Sequence, residues 1–276
     1  MADTLKWTPA EVSKDVPSAA RIYDYLLGGS HNFAPDRAMA DKLLAVQPNV
    51  ADIARRNRAF LRRAVLFMVE AGVRQFLDLG SGIPTAGNVH EIAQRVAPGS
   101  RVVYVDYEGV AVAHSQLLLA GNEHAAIVQC DVTRPDEVLH ADDTRRLIDF
   151  SQPVGVLAAT IGHYLPPASD PPGVFARYRD AVAPGSHLAL THLTEDFTTV
   201  HGDEIIETMK NTQNNVFPRT REQVLDLFGD FTLVEPGLVT TSQWRPEPAV
   251  NLAFNPEEDG LYAGVAVKLA HRDAPF

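Results

Sequence analysis

The sequence predicts an α/β fold, in which a doubly wound and mostly parallel β-sheet carries helices on both faces. Three observations support this prediction. Downstream of residue 72, short apolar runs typical of buried strands alternate with segments of helical periodicity. Upstream of residue 73 the chain shows helical patterns alone, which predicts an N-terminal helical cap. The last two strand-like runs have no helix between them, so we expect an antiparallel hairpin at one edge of the sheet.

The composition limits the classes of function. With 276 residues, 45% of them apolar, the chain can bury a sizeable core. Its formal net charge of −11 argues against an extended nucleic-acid groove, which needs a basic face. Cys130 is the only cysteine, so no intrachain disulfide can form, and its apolar surroundings favour a small buried side chain over a nucleophile. We find no signal peptide and no apolar run of about 20 residues, and therefore expect a soluble cytoplasmic protein.

Residues 1–72 are predicted to form an N-terminal arm and the helical cap. The first 17 residues are polar and end in a proline, which is typical of a loose arm. Ser18 can cap a helix that runs to about residue 27, where two glycines end it. Two further helices are predicted over 36–46 and 49–71, the second because apolar residues recur there at helical spacing.

Residues 73–276 are predicted to form the domain that contains the sheet. The predicted strands are 73–79, 101–106, 125–130, 154–159, 186–193, 231–234 and 262–269. The predicted helices are 84–96, 109–120, 136–149, 172–182, 203–214 and 220–228. The long connection over 240–260 is rich in proline and acidic residues, and it is either functional or mobile.

A glycine turn and three aspartates mark the predicted strand ends. The first strand contains Asp78 and runs into Gly80-Ser81-Gly82, whose glycines permit positive φ and the close approach of a ligand. Asp106 ends the second strand, and Asp131 follows the third. Open parallel sheets bind ligands at the carboxyl ends of their strands, where an aspartate can accept hydrogen bonds from both hydroxyls of a ribose. Together the three carboxylates predict a nucleoside site.

The glycine turn differs from those of dinucleotide-binding and P-loop proteins. Gly82 is followed by Ile83-Pro84-Thr85, so the third glycine of the dinucleotide fingerprint is missing. A Walker-type sequence is also absent. The missing glycine and Asp131 disfavour an NAD-dependent oxidoreductase.

The sequence resembles the class I S-adenosylmethionine-dependent methyltransferases. The matching elements are LDLGSG at 77–82, Asp106, and CDVTRP at 130–135. In the N-terminal half, PSAARIYDYLLGGSHNFAPDR at 17–37 and NRAFLRRAV at 57–65 are similar to an actinobacterial methyltransferase family formerly catalogued as a domain of unknown function. The resemblance runs from about residue 17 to the C-terminus. It implies a Rossmann-like fold, S-adenosyl-L-methionine as the cofactor, and an unidentified small-molecule acceptor.

The resemblance also implies roles for single residues. The cofactor-binding residues are then Asp78, Gly80, Ser81, Gly82, Asp106, Tyr107, Asp131, Val132 and Thr160. Within this set Asp78 borders the methionine part of the cofactor, Asp106 holds the ribose, and Asp131 reaches the exocyclic amine of the adenine.

His163, after the fourth strand, is the leading candidate for a general base, because imidazole titrates near neutral pH. The alternative is that His163 packs beside the cofactor and holds the backbone in place. His192 and Glu195, after the fifth strand, are weaker candidates. They could suggest a metal pair, but a third ligand is missing and no metal is predicted.

The N-terminal segment supplies the predicted substrate and lid residues. They are Arg21, Tyr23, Tyr25, His31, Asn32, Phe33 and Asn57, joined by Tyr164 after the fourth strand. Gly28-Gly29 suits a hinge, and an ordinary helix end is the alternative. Asn57 lies on the apolar stripe of its helix, so its amide needs partners, either in loop backbone or in a ligand. The arginines between residues 55 and 63 are expected to form a solvated face.

Two classes of function stay open on the sequence alone. One is a methyltransferase acting on a small molecule; the other is a non-catalytic sensor of S-adenosylmethionine or a nucleoside, since no strong catalytic constellation is visible. A nucleic-acid methyltransferase is disfavoured by the charge and by the lack of an Asn-Pro-Pro-Tyr-type motif after the fourth strand. The sequence gives no indication of the oligomeric state.

Overall fold

A mixed β-sheet forms the centre of the molecule. The computed structural model describes residues 13–84, 87–197, 201–247 and 255–270, without the side chains of 256 and 257. Its strands are β1 (Gln75–Leu79), β2 (Arg101–Asp106), β3 (Ala125–Gln129), β4 (Gly155–Ala159), β5 (His187–Leu193), β6 (Thr232–Leu233), β7 (Val239–Thr240) and β8 (Leu261–Val267). They lie in the order β3-β2-β1-β4-β5-β8-β6, with β7 also paired to β8. The first five strands are parallel, which confirms the predicted sheet.

Helices cover both faces of this sheet. They are α1 (Ala19–Leu26), α2 (Ala34–Val46), α3 (Val50–Glu70), α4 (Val89–Val96), α5 (Gly109–Leu118), α6 (Pro135–His140), α7 (Asp142–Leu147), α8 (Pro171–Ala181), α9 (Gly202–Met209) and α10 (Arg221–Phe228). Alternate residues of β2 belong to different apolar clusters, because successive side chains of a strand point to opposite faces. Val103 lies in the cluster with α8 and α10, whereas Val102 lies in the cluster with α3 and α4. This confirms the doubly wound arrangement.

Helix α3 joins the N-terminal segment to the sheet. Phe60 and Met68 are fully buried and belong to the same apolar cluster as Phe76 of β1. The division of the chain at residue 72, between the cap and the sheet domain, stays a prediction. No helix in the described ranges has the length and apolar content needed to cross a lipid bilayer.

Three predicted helices have different bounds in the structure. Helix α4 begins at Val89 and not at Pro84, because Glu91 accepts the backbone N–H groups of Gly87 and Asn88 and caps the helix there. The predicted helix 136–149 is two short helices, separated by the extended backbone of Ala141. Two aspartates in the first turn of α7 favour a helix that begins there, because negative charge is stabilising at a helix N-terminus.

Helix α9 ends at Met209, ahead of the predicted residue 214. The Thr212 hydroxyl donates to the carbonyl of Met209 at 2.8 Å, which satisfies a backbone acceptor at the helix end. Asn214 thereby lies outside the helix and lines the cleft described below.

The C-terminal strands pair antiparallel, as predicted, but β8 is not an edge strand. It lies between β5 and β6 and is antiparallel to both. Strand β7, at the start of the long connection, was missed because it has only two residues.

A buried ion-pair network fastens the cap to the sheet. Arg21 of α1 is 1% exposed, and its guanidinium contacts the carboxylates of Asp36 at 2.8 Å and Glu108 at 2.6 Å. Asp36 lies in the first turn of α2, whereas Glu108 lies between the end of β2 and the start of α5. Asp36 also accepts the backbone N–H groups of Ser18 and Phe33. One side chain therefore joins the first two helices to a strand end of the sheet.

We expect Arg21→Met to destabilise the protein strongly. The substitution leaves two buried carboxylates without their cation, which typically costs about 3–5 kcal/mol. Arg55→Met is the matched control, because Arg55 and its partner Asp52 are both exposed, and exposed pairs contribute about 1 kcal/mol or less. Urea unfolding at pH 7 measures both. Equal losses of unfolding free energy would contradict the anchoring role of Arg21.

Candidate functional site

A cleft opens at the carboxyl ends of β1, β2 and β4, below α1 and α3. We call it the strand-end cleft; its floor contains Asp78, Gly80 and Asp106, and its roof contains Tyr23 and Asn57. The chain order reverses between β1 and β4, which is where open α/β sheets bind ligands. The cleft holds about 960 Å³ of space, part of it open to solvent.

The structure brings most of the predicted cofactor residues together. Those that line the strand-end cleft are Asp78, Gly80, Ser81, Gly82, Asp106, Tyr107, Val132 and Thr160. Asp131 is the exception. Its side chain is exposed, and its Oδ1 accepts from the backbone N–H and the hydroxyl of Thr133, both at 2.8 Å. It thus stabilises the turn after β3.

The turn after β1 needs both of its glycines. Gly80 and Gly82 have φ of +67° and +66°, a region that other residues rarely adopt. A Cβ atom at Gly80 would also lie 2.5 Å from the Ile161 side chain. The N–H groups of Gly80 and Ser81 both donate to the carbonyl of Val105 in β2. The turn is therefore held against the neighbouring strand and leaves its open side to the cleft.

Asp78 is a buried carboxyl group that no residue in the described ranges hydrogen-bonds. It is 5% exposed. Burial raises the pKa of Asp78 to about 7, an effect that the positive charge of Arg58 opposes and the nearby Asp106 reinforces. The Ser81 hydroxyl, on the same cleft, is likewise buried without a hydrogen bond. Both groups are available to a ligand.

Asp106 is held by the backbone around it. Its two carboxylate oxygens accept the N–H groups of Gly82 at 2.8 Å and Glu108 at 2.9 Å. Burial raises the pKa of Asp106, whereas these hydrogen bonds lower it. Each oxygen keeps a second acceptor position for a ligand hydroxyl.

A hydrogen-bond chain supports the roof of the cleft. Thr160, just after β4, has a φ of +56°, and its N–H donates to the Thr191 hydroxyl at 2.9 Å. Thr191 donates to the side-chain oxygen of Asn57 at 2.8 Å. The Asn57 amide nitrogen donates to the Tyr23 hydroxyl at 2.9 Å. Asn57, whose partners the sequence left open, is therefore satisfied by two protein hydroxyls while it lines the cleft.

Of the predicted substrate and lid residues, Tyr23, Asn57 and Tyr164 line the cleft, whereas Arg21, Tyr25, His31, Asn32 and Phe33 do not. The loop after α1 is fixed by Asp24 and by Asp36, which accepts the N–H of Phe33 at 2.8 Å. The side chain of Asp24 accepts from the His31 N–H at 2.9 Å and the Asn32 amide at 2.8 Å, and Phe33 packs against Val110 of α5.

Tyr25 also lies away from the cleft, where its hydroxyl is 3.4 Å from the carboxylate of Asp41. At Gly29 an added Cβ would collide with the Asp24 side chain at 2.1 Å, so close packing explains this glycine. The hydrogen bonds describe a fixed turn, and the hinge and lid roles stay predictions.

The geometry does not favour His163 as a general base. It lies beside the strand-end cleft and not in its lining, and its Nδ1 accepts the N–H of Leu193 at 3.2 Å. A neutral ring bonded in this way carries its proton on Nε2, so neither nitrogen is free to accept another. Burial, aided by His192 and Arg219, holds the pKa of His163 well below its ordinary value. These contacts agree with the alternative in which His163 holds backbone in place.

His192 is also occupied by the protein. Its Nδ1 donates to the Leu193 carbonyl at 2.7 Å, and its Nε2 accepts from Arg219 at 2.7 Å. Arg219 further donates to the carbonyls of Gly162 and Leu165, both at 2.8 Å, and so fixes the loop after β4. In the described ranges we find no group of three or more side chains able to hold a metal ion.

Sequence reasoning missed three charged or polar residues of the cleft, namely Arg58, Glu108 and Asn214. Arg58 was grouped with the solvated arginines of α3, but it lines the cleft and acts on the charge of Asp78. Asn214 bridges the Tyr107 hydroxyl at 2.5 Å and the N–H of Ala19 at 3.0 Å. Of these three residues, only Glu108 could have been suspected from the sequence, because it lies two residues after Asp106, the acid that ends β2.

We expect Asp78→Asn to stabilise the ligand-free protein at alkaline pH. The pKa of Asp78 rises from an ordinary 3.8 to about 7 on folding. Between those pH values the native state binds more protons at this site than the unfolded state, so the contribution of Asp78 to stability falls as the pH rises. Asparagine does not ionise, and at pH 8 the variant should be more stable by about 2–4 kcal/mol.

Urea unfolding at pH 5 and pH 8 measures this difference, which should shrink at pH 5. Asp52→Asn, at an exposed position on α3, is the control and should show no such trend. A difference for Asp78→Asn that does not grow between pH 5 and pH 8 would contradict the buried, unpaired state of this carboxyl.

Comparison with known proteins agrees with this geometry. A family described as S-adenosyl methyltransferase matches residues 5–269. A solved structure from Thermobifida fusca, described as a candidate methyltransferase, has a TM-score of 0.90 and 41% identity, covering 96% of this chain and 100% of its own. A DUF574 family protein from Streptomyces avermitilis has a TM-score of 0.89 and 34% identity, covering 92% of this chain and 98% of its own. No curated protein matches the sequence.

These matches confirm the resemblance to class I methyltransferases, the Rossmann-like fold and the cofactor. The family match spans nearly the whole described chain and includes both the cap and the sheet. The chain therefore belongs to the S-adenosyl methyltransferase family, and it is a methyltransferase whose cofactor is S-adenosyl-L-methionine.

Proposed function

We propose that the protein transfers a methyl group to a small-molecule acceptor, with its cofactor bound in the strand-end cleft. The main support is the buried carboxyl of Asp78, to which no described residue donates a hydrogen bond, in the same cleft as the carboxylate of Asp106. A buried carboxyl without a partner is costly, and a cationic ligand group removes that cost.

The cleft residues suit the two ends of S-adenosylmethionine. Asp106 has acceptor positions for the two ribose hydroxyls, and Val132 supplies an apolar surface for the adenine. Asp78 suits the ammonium of the methionine part. Arg58, which lines the cleft close enough to Asp78 to act on its pKa, suits the carboxylate. Asp131 remains an expected contact of the adenine amine, by resemblance alone.

When bound, S-adenosylmethionine would supply an already activated methyl group, with S-adenosylhomocysteine as its leaving group. The residues of this chain have to orient the reactants and exclude water. The Thr191–Asn57–Tyr23 chain fixes the roof against the end of β4. Asn214 closes the side of the cleft by joining Tyr107 to α1.

A small molecule fits better than a nucleic acid as the acceptor. The chain has 35 acidic residues against 24 lysines and arginines, and an extended nucleic-acid site needs a basic face. Arg58 is the one lysine or arginine among the described residues lining the cleft. A cytoplasmic location, expected from the sequence, belongs to this proposal. A purely sensory protein would use the same cleft, but the family match favours an enzyme.

Two ligands and two variants test the placement of the cofactor. S-adenosylhomocysteine carries the adenosine and the amino acid, whereas 5′-methylthioadenosine lacks the amino acid. Asp106→Asn is expected to weaken both by about 10-fold or more, because a hydrogen bond to a charged group contributes about 1.5–3 kcal/mol. Asp78→Asn should weaken S-adenosylhomocysteine alone by a similar factor.

Calorimetric titration at pH 8 provides the affinities, with the exposed Asp52→Asn as the matched control. Unchanged affinity in Asp106→Asn would exclude the ribose assignment. Equal weakening of both ligands by Asp78→Asn would exclude its contact with the amino acid.

A further inference from the structure

A second cavity adjoins the strand-end cleft beneath the N-terminal helices. We call it the apolar cavity; it holds about 810 Å³, part of it open to solvent, and Leu43, Ile53 and Met209 are among its walls. Ala19, Tyr23, Thr160 and Tyr164 line both spaces, so these four residues form the junction between them. A molecule in the apolar cavity would therefore lie beside whatever occupies the strand-end cleft.

The lining of the apolar cavity has no charge. No aspartate, glutamate, lysine or arginine of the described ranges contributes to it. His163, on its wall, is neutral at physiological pH because burial lowers its pKa. The strand-end cleft, in contrast, contains Asp78, Asp106, Glu108 and Arg58. A charged molecule entering the apolar cavity would lose its hydration without gaining an ion pair.

The polar groups of the apolar cavity are mostly committed to the protein. The Tyr23 hydroxyl accepts from Asn57 and donates to the Ala54 carbonyl at 3.1 Å. The Gln47 amide nitrogen donates to Asn49, and His163 accepts from Leu193. The hydroxyl of Tyr164 is different. It forms no hydrogen bond with a described residue, and burial raises its pKa, so that it stays protonated.

We propose that the apolar cavity binds the methyl acceptor, and that this acceptor is an uncharged, largely apolar small molecule whose polar atom hydrogen-bonds to Tyr164. The inference rests on the proposed placement of the cofactor in the strand-end cleft. The aliphatic walls contribute binding energy by burial of apolar surface, and the Tyr164 hydroxyl at the junction orients the one polar atom.

The test uses 2-naphthol and 2-naphthoate, which share a bicyclic ring and differ in charge at pH 7. Both are titrated into the full chain saturated with S-adenosylhomocysteine, so that the strand-end cleft is filled and no methyl group can be transferred. We expect 2-naphthol to bind with one site per chain and 2-naphthoate to bind at least 10-fold more weakly. Equal affinities, or no binding of 2-naphthol at 1 mM, would overturn the inference.

Cavity-filling variants locate the probe. Ile53→Trp and Val216→Trp place larger side chains in the apolar cavity and so reduce its volume. Neither residue lines the strand-end cleft. Each should weaken 2-naphthol at least 10-fold and leave the affinity for S-adenosylhomocysteine within twofold, which also shows that the variant is folded. Val96→Trp, at an exposed position on α4, is the control and should change neither. Unchanged 2-naphthol binding in both folded cavity variants would overturn the inference.

Tyr164→Phe tests the hydrogen bond. It should weaken 2-naphthol about fivefold and leave 2-methylnaphthalene, which has no hydroxyl, within twofold. Equal effects on both probes would exclude the hydrogen bond. Failure of S-adenosylhomocysteine to bind the wild-type chain would instead count against the proposed placement of the cofactor, so the two failures are distinguishable.

Discussion

The buried guanidinium of Arg21 links the helical cap to the edge of the sheet beside which both cavities lie. It is paired with Asp36 at the start of α2 and with Glu108 at the end of β2, and burial would make any one of these charges costly alone. Glu108 also donates its backbone N–H to Asp106. The contact that holds the cap therefore also holds the backbone around the acid that suits a ribose. The cap and the binding edge of the sheet consequently form one unit, and the cavities lie in the space between them.

The same edge of the sheet keeps polar groups that the protein itself does not satisfy. The Asp78 carboxyl and the Ser81 hydroxyl are buried and form no hydrogen bond with a described residue, and Thr160 adopts an unfavourable positive φ. Elsewhere in the site, comparable groups such as Asn57 and Thr191 are fully paired. Within the site, the groups that no described residue hydrogen-bonds thus lie on the glycine-turn side of the strand-end cleft. Such a distribution reduces the stability of the free protein and favours a ligand with complementary charges.

The sheet was predictable because its strands are buried on both faces and appear in the sequence as apolar runs. The positions of Asp78 and Asp106 followed from the same runs. Contacts between distant segments were not predictable. One of the two partners of Arg21, Glu108, lies 87 residues away, so Arg21 was interpreted as a substrate residue. Arg58 could not be separated from neighbouring arginines, because only the packing of α3 selects the one that faces the cleft. The start of α4 could have been predicted from the sequence, since Asn88 and Glu91 have the spacing of a capping box.

The two cavities differ in polarity, and this difference suits the two reactants of a methyl transfer. Charged side chains surround the space suited to the cofactor, whose amino acid and ribose need strong hydrogen bonds. The adjoining space has no charged side chain among the described residues, and its histidine already uses its accepting nitrogen. A general base therefore has no evident place at the junction. Since the methyl group arrives activated, orientation in a dry site can supply much of the rate enhancement. An acceptor that is reactive without deprotonation by the protein suits this arrangement best.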